Sequence, residues 1–135
     1  MSNPPGHLHF AFILFPLAQP LDLLGPLDVL NSLKPGYHGK DPSPKITITS
    51  TIVASTLDAV NLNGGLKILP DMTFEEAQKR NWEGVMVPGG LGVRPRYETN
   101  VPAMEFLRVL VPKCTYVLTG EHAVFPWNHL LVGVD

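Results

Sequence analysis

The chain has 135 residues, 44% of them hydrophobic, which is enough for one domain with a core and too few for two. Twelve acidic residues nearly balance ten basic ones and no run of Lys or Arg occurs, so no nucleic-acid partner is expected. The apolar run from Phe10 to Leu17 is far shorter than the roughly 20 residues of a membrane span, so no membrane association is expected. The single cysteine, Cys114, cannot form an intramolecular disulfide, which fits a cytoplasmic protein.

The predicted elements alternate between strands and helices. His7 to Phe15 becomes solidly apolar, as does a strand that is covered on both faces. A helix with leucines at helical spacing follows, and Pro26 is compatible with it if it falls in the first turn. Later elements are a strand at 45–54, two extended pieces around a turn at 61–65, a helix at 71–80 capped by Asp71 or Thr73, a strand at 84–87, a helix at 101–110 and a strand at 114–119. This order predicts an α/β fold with an open, mostly parallel sheet.

Asp22 is the first candidate functional residue. Ligands of open parallel sheets bind beyond the carboxyl ends of the strands, and Asp22 lies in the turn region after the first strand. One interpretation is an N-cap or first-turn carboxylate that offsets the helix dipole. The other is a partly buried carboxylate that exchanges a proton with a neighbouring nucleophile or substrate.

Gly89 and Gly90 follow the strand at 84–87 and also have two interpretations. They form either a tight turn that needs positive φ, or a turn whose backbone N–H groups face an anionic ligand atom or oxyanion. A dinucleotide-binding loop fits poorly, because Pro95 stands where a third glycine is needed. His7 and His9 lie near the amino end of the first strand, away from these turns, so neither a metal nor a cofactor is expected.

Three segments of the chain form a recognisable combination. They are Leu21 to Val29 (LDLLGPLDV), Pro70 to Phe74 (PDMTF) and Val85 to Gly92 (VMVPGGLG), with Phe15-Pro16 before the first. Together they resemble the ThiJ/PfpI superfamily, and within it the isonitrile hydratase branch, especially its fungal members. Each string alone is weak, but the three occur in the family's order and spacing. The resemblance covers about residues 8–119.

The resemblance implies a three-layer, flavodoxin-like sandwich of the class I glutamine amidotransferase-like type, which is usually homodimeric. Asp22 corresponds to the family's acidic catalytic residue, and Gly89, Gly90 and Leu91 correspond to its substrate-binding turn. In the isonitrile hydratase branch these groups support hydration of an isonitrile to an N-substituted formamide, without a cofactor. A small-molecule ligand and a homodimeric partner are therefore expected.

The expected nucleophile is absent from the position that the resemblance assigns to it. Family members carry a cysteine on a strained turn directly after the fifth strand, whereas this chain has Leu118 or Gly120-Glu121 there, depending on the alignment. Cys114 comes at least four residues too early, more than about 10 Å along an extended strand. We therefore expect Cys114 to be an inert, packed thiol and the chain to be catalytically inactive.

The domain organisation predicted is one truncated domain over residues 1–135, with a divergent tail at 120–135 and the carboxyl-terminal part of the fold missing. Because the resemblance ends abruptly, we expect the tail to arise from an altered reading of the gene, such as an unspliced intron. The alternative to an inactive enzyme-like domain is a non-catalytic small-molecule sensor or interaction domain, related to amidotransferase-like transcription regulators.

Overall fold

The computed structural model describes residues 6–34, 46–93 and 101–120, and these ranges form a mostly parallel sheet with flanking helices. The elements are, in chain order, β1 (His7–Ile13), α1 (Pro20–Asn31), β2 (Thr47–Ala54), β3 (Val60–Asn61), β4 (Lys67–Ile68), β5 (Met72–Thr73), α2 (Phe74–Ala77), β6 (Gly84–Val87), α3 (Val101–Leu110) and β7 (Tyr116–Thr119). Short 3-10 turns occupy 63–65, 91–93 and 111–113.

The main sheet has the strand order β5-β2-β1-β6-β7, and every pairing in it is parallel. β3 and β4 form a separate antiparallel pair, which matches the two extended pieces predicted around the turn at 61–65. The predicted α/β, flavodoxin-like fold class is confirmed. The sequence reading missed β5, because two residues are too few to show a period-two pattern.

The core centres on β1, as its apolar run predicts. All side chains from Phe10 to Phe15 are at most 5% exposed, because β1 is the central strand and both sheet faces are covered there. The strand itself ends at Ile13, two residues earlier than predicted. Leu14 and Phe15 stay buried, so they carry the apolar pattern past the end of the ladder.

The first helix begins earlier than its leucine spacing indicates. Gln19 is the residue before the helix, Pro20 is its first residue, and Asp22 lies in the first turn rather than at the N-cap. Pro26 is consequently inside the helix and not in its first turn. A proline at this position cannot donate to the carbonyl four residues earlier, which is that of Asp22, so the helix hydrogen bonding is interrupted beside this carboxylate.

The second predicted helix is much shorter in the structure, covering Phe74–Ala77 instead of 71–80. Thr73 is its cap: its hydroxyl accepts a hydrogen bond from the Glu76 N–H (3.2 Å). Asp71 instead accepts a hydrogen bond from the Ile52 N–H (2.9 Å) and fixes the entry of the chain into β5. The local helix signal of the glutamates is therefore overridden by strand pairing on its amino-terminal side.

β7 lies at one edge of the sheet formed by the described residues, and all four of its residues are exposed. The predicted divergent tail lies outside the described residues apart from Gly120. None of the described helices is long and apolar enough to cross a membrane.

Candidate functional site

The order in which strands are added to the sheet reverses between β1 and β6, although all the strands are parallel. From β1 the chain moves to β2 and then β5 on one side, before it returns to β6 and β7 on the other side. The connections after β1 and after β6 therefore leave the sheet in opposite directions and open a crevice at the carboxyl ends of these strands. In open α/β sheets this crevice is where ligands bind.

Asp22 and the glycine turn meet in this crevice. The Gly89 N–H donates a hydrogen bond to Asp22 Oδ2 (2.9 Å), which joins the first turn of α1 to the end of β6. Gly120, directly after β7, also lies against this carboxylate, since a methyl group on its α-carbon would come closer than 3.0 Å to Asp22. The structure thus brings Asp22 together with the ends of β6 and β7, as predicted from the sequence.

Gly90 satisfies a steric requirement. Its φ is +117°, and a Cβ atom there would lie within 3.0 Å of backbone atoms of Leu17, Ala18 and Gln19. The Gln19 N–H donates to the Gly89 carbonyl (2.8 Å), and Gly90 forms an isolated bridge with Ala18. This close approach of two backbones fixes the start of α1, and therefore Asp22, against the end of β6.

The backbone N–H of Gly89 binds a side chain of the protein. One of the two interpretations of the double glycine was that its N–H groups face a ligand, but the Gly89 N–H donates its hydrogen bond to Asp22. Leu91, the third residue of the predicted substrate-binding turn, begins a 3-10 turn and is half-buried. The crevice is thus organised around the carboxylate of Asp22, with one carboxylate oxygen, Oδ2, held by the backbone.

Leu17 is a feature of the site that sequence reasoning missed. It has φ +63°, the only positive φ of a non-glycine residue in the described chain. This conformation costs roughly 1–2 kcal/mol for a residue with a Cβ atom. It is held by hydrogen bonds from the Leu17 N–H to the Asn61 carbonyl (2.9 Å) and from the Gly92 N–H to the Leu17 carbonyl (3.2 Å). Such strain is typical of turns that position functional groups, and a leucine gives no sequence signal for it.

Cys114 lies at the opposite end of the sheet. It precedes β7, whose first residue Tyr116 pairs with Gly84 at the start of β6. Five residues separate it from Gly120, so along an extended chain the two lie about 20 Å apart. Burial, and secondarily the negative charge of Glu83, raises the pKa of the Cys114 thiol to about 11. This agrees with the predicted packed thiol and removes Cys114 from the chemistry of the crevice.

Metal binding has no support among the described residues. No three His, Cys, Asp or Glu side chains in the described ranges group closely enough to hold an ion. His7 and His9 lie on β1 at its amino end, and both ring nitrogens of His7 are hydrogen-bonded to threonines of β2.

Comparison with known proteins relates the chain to a bacterial enzyme. It is 34% identical over 110 residues to the isonitrile hydratase of Pseudomonas putida, and the match covers 82% of this chain but 42% of the hydratase. The chain thus spans less than half the length of this curated relative. No family model matches the sequence.

Solved structures share the fold. A ThiJ/PfpI family protein from Pseudomonas syringae has a TM-score of 0.63 at 23% identity, over 84% of this chain and 42% of that protein. Oxidized DJ-1 from Toxoplasma gondii has a TM-score of 0.66 at 12% identity, over 93% of this chain and 64% of that protein. Together with the identity to the hydratase, this shared fold supports placing the chain in the ThiJ/PfpI (DJ-1-like) superfamily.

Proposed function

We propose that the chain is an isonitrile hydratase-like ThiJ/PfpI domain, of the fungal type and truncated, that binds a small ligand at Asp22 but does not catalyse hydration. The observation that carries the proposal is the crevice between β1 and β6, where Asp22 accepts the hydrogen bond from Gly89 and lies against Gly120. A carboxylate with one oxygen fixed by the backbone is suited to accept a further hydrogen bond from a ligand N–H or O–H at its second oxygen.

The inactivity follows from the position of the only thiol. Hydration of an isonitrile gives the terminal carbon an oxygen and a hydrogen, and gives the nitrogen a hydrogen. In the family this reaction is expected to use a cysteine next to the carboxylate, at the end of β7. In these 135 residues the one cysteine, Cys114, lies two residues before the start of that strand, and its raised pKa of about 11 lowers its thiolate fraction further.

Turnover and binding are measured separately to test this proposal. The full chain is incubated with tert-butyl isonitrile, and N-tert-butylformamide is quantified; we expect no rate above that of buffer. Binding of N-tert-butylformamide is followed by amide NMR shifts, which we expect at Gly89, Gly90 and Gly120. Asp22→Ala should abolish these shifts, whereas Asp28→Ala, on the exposed side of α1, should not.

Two outcomes contradict the proposal. Turnover that disappears in Cys114→Ser places the active thiol at the other end of the sheet. Absence of any saturable shift in the crevice removes the ligand-binding role of Asp22. Saturable binding without turnover supports the proposal, and it is also what a non-catalytic sensor domain related to transcription regulators requires. The two hypotheses are distinguished by testing whether the ligand changes the oligomeric state of the chain or its binding to a partner protein, because a sensor domain requires such a change.

A homodimer is the second part of the proposal, and α1 is the surface that favours it. Leu21 and Val29 are 73% and 66% exposed, and with Gly25 between them they form one stripe at a spacing of four residues. The opposite side of the helix buries Leu23 in the core. A helix that is apolar on both sides is typically covered on both sides, and a second copy of the same helix around a two-fold axis would cover this stripe.

The oligomeric state is measured by light scattering coupled to gel filtration. We expect a dimer for the full chain and a monomer for Leu21→Glu. Leu69→Glu is the matched control, because Leu69 is similarly exposed (70%) but lies outside α1. Equal effects of both substitutions contradict the assignment of the dimer to α1.

A cytoplasmic location is the last part of the proposal. It rests on the single cysteine, which has no partner within the chain and suits a reducing compartment. Fractionation of cells that express the tagged chain tests it, and recovery in a secreted or membrane fraction would contradict it.

A further inference from the structure

A cavity of about 210 Å³ lies at the same edge of the sheet as Asp22 but is separate from it. Its walls come from residues 14–16 after β1, from residues 55–61, which lead from the end of β2 into β3, from the first residue of α2 and from the start of α3. Neither Asp22 nor the glycine turn lines it. The proposed function therefore does not account for this cavity.

The walls of the cavity divide into an apolar floor and a polar rim. Leu14, Phe15 and Phe74 are buried and form part of the floor, and Ala103 of α3 adds to it. The rim is built from exposed polar side chains after β2. Its polar members are Ser55, Thr56, Asp58 and Asn61. An apolar floor with a few polar groups on one side is the usual composition of small-molecule sites.

The charge of the lining selects between ligand types. Among the described residues that line the cavity, Asp58 is the only charged side chain, and none of these residues is Lys, Arg or His. The hydroxyl and amide groups beside Asp58 can both donate and accept hydrogen bonds, so the charge of the described lining comes from Asp58. A ligand with an ammonium or another donor group is thus favoured over an anion, which would meet the carboxylate at close range.

The cavity is held open by hydrogen bonds and ring packing in its walls. The Leu14 N–H donates to the Val53 carbonyl (2.8 Å), so the chain after β1 stays attached to β2. The Asp58 N–H donates to the Thr56 hydroxyl (3.3 Å), which shapes the rim. The Phe74 ring stacks on Phe106 of α3 with centroids 4.7 Å apart. These contacts make the site largely pre-formed, which lowers the entropic cost of binding.

From this composition we infer that the cavity is a second ligand site, which takes a small monocyclic amine with its ring on the apolar floor and its ammonium group at Asp58. The size is consistent with such a ligand, because a cavity of about 150 Å³ already holds benzene. A ring with one short substituent matches the larger volume. The affinity expected for so few atoms is a Kd on the order of 1 mM.

Benzylamine, benzyl alcohol and benzoate are the probes, because they share the ring and differ in charge. Amide NMR shifts of the full chain are followed during titration with each probe. We expect saturable shifts at residues 55–61 and at Ala103 with benzylamine, and binding of benzoate that is roughly tenfold weaker. Asp58→Asn should weaken benzylamine about threefold and leave benzyl alcohol unchanged. Asp28→Asn, on α1, should change neither.

Further variants separate this site from the crevice at Asp22. Asp22→Ala, which should abolish formamide binding, is expected to leave benzylamine binding unchanged. Ala59→Trp fills the rim at an exposed position and should remove benzylamine binding, whereas Leu69→Trp, which lies outside the lining, should retain it. Equal binding of benzylamine and benzoate, no saturable shift at residues 55–61, or loss of the benzylamine shifts in Asp22→Ala would each overturn the inference.

Discussion

Side chains hold the strands together at the amino end of the sheet, whereas at the carboxyl end backbone segments converge around one carboxylate. At the amino end, hydrogen bonds join His7 Nδ1 to the Thr47 hydroxyl (2.5 Å) and His7 Nε2 to the Thr49 hydroxyl (2.8 Å). A Glu83 carboxylate oxygen accepts from the His9 N–H (2.5 Å), which ties β1 to the residue before β6. These contacts are local to adjacent strands and stabilise their register.

At the carboxyl end, the closest approaches are between loops. The segment after β1 contacts the turn after β6 through Gly90, and the carboxylate of Asp22 lies between the ends of β6 and β7. This region contains Leu17, with its positive φ, and a glycine that no larger residue can replace without displacement of backbone. The difference teaches that side-chain contacts join adjacent strands at one end, whereas at the other end close backbone packing holds Leu17 at positive φ and positions the carboxylate of Asp22.

Among substitutions that test this comparison, Gly90→Ala is expected to change the free energy of unfolding the most. The new Cβ atom would meet backbone atoms of Leu17, Ala18 and Gln19, and φ +117° is unfavourable for alanine. We expect a loss of about 3 kcal/mol in the free energy of unfolding, measured by urea denaturation. Gly64→Ala is the matched control. Its φ is +82°, but a Cβ atom added there would meet nothing within 4 Å apart from its chain neighbours, so we expect the free energy of unfolding to fall by only about 1 kcal/mol. Equal losses in the two variants would contradict the steric role of Gly90.

The reactivity of Cys114 tests whether its thiol is packed and protonated at the amino end of the sheet. Its pKa of about 11, against an ordinary value of 9.0, leaves roughly a hundredfold less thiolate at pH 8 than a free thiol has. We expect alkylation by iodoacetamide to be slower by about this factor in the folded chain and to become fast in urea. Because the chain has one cysteine, mass spectrometry reports on this residue alone. Rapid alkylation of the folded protein would show that the thiol is exposed and activated.

Asp22→Ala is expected to have an intermediate effect on stability. It leaves the buried Gly89 N–H without its acceptor, which costs about 2 kcal/mol. Asp22→Asn keeps an oxygen acceptor and should cost less than about 1 kcal/mol. Both are measured by urea denaturation. If the two variants lose the same stability, the hydrogen bond from Gly89 does not carry the stabilising role of Asp22.

The positions of Asp22 and Gly90 could be predicted from the sequence, because both residues come soon after the end of a buried strand. Apolar residues locate the end of β6 and place the end of β1 within two residues, and Asp22 and Gly90 come soon after these ends, so their meeting at one sheet edge was predictable. The position of Pro26 inside the helix could not be predicted. The helix starts at Pro20 because the hydrogen bond from the Gln19 N–H to the Gly89 carbonyl fixes the chain there. That contact depends on the tertiary fold.

Other features depend on neighbours that no local pattern reveals. Leu17 adopts positive φ because Asn61 and Gly92, 44 and 75 residues away in sequence, hold its N–H and carbonyl. β5 is too short for a periodic signal and exists because Val53 and Ala54 of β2 offer a free edge to pair with. The proximity of Gly120 to Asp22 similarly comes from the register of β7 against β6.

The smallest effect is expected from protonation of His9 at the amino end. Burial, and next the neighbouring His7, lowers the pKa of His9; Glu83 opposes this change and Arg80 adds to it. The folded chain therefore binds a proton at His9 less readily than the unfolded chain, whose histidine titrates near 6.5. As the pH falls below about 6.5 the unfolded state takes up more protons, and the free energy of unfolding decreases.

Two measurements check this pH dependence. The NMR titration of the His9 ring should have its midpoint below 6.5 in the folded chain. The free energy of unfolding, measured in urea between pH 7.5 and pH 5.5, should fall less steeply in His9→Gln than in the unmodified chain. The Glu83 hydrogen bond is made to the His9 backbone N–H and is therefore kept in this variant. A midpoint at or above 6.5, or an unchanged slope in His9→Gln, would mean that the amino end of the sheet does not disfavour the charged ring.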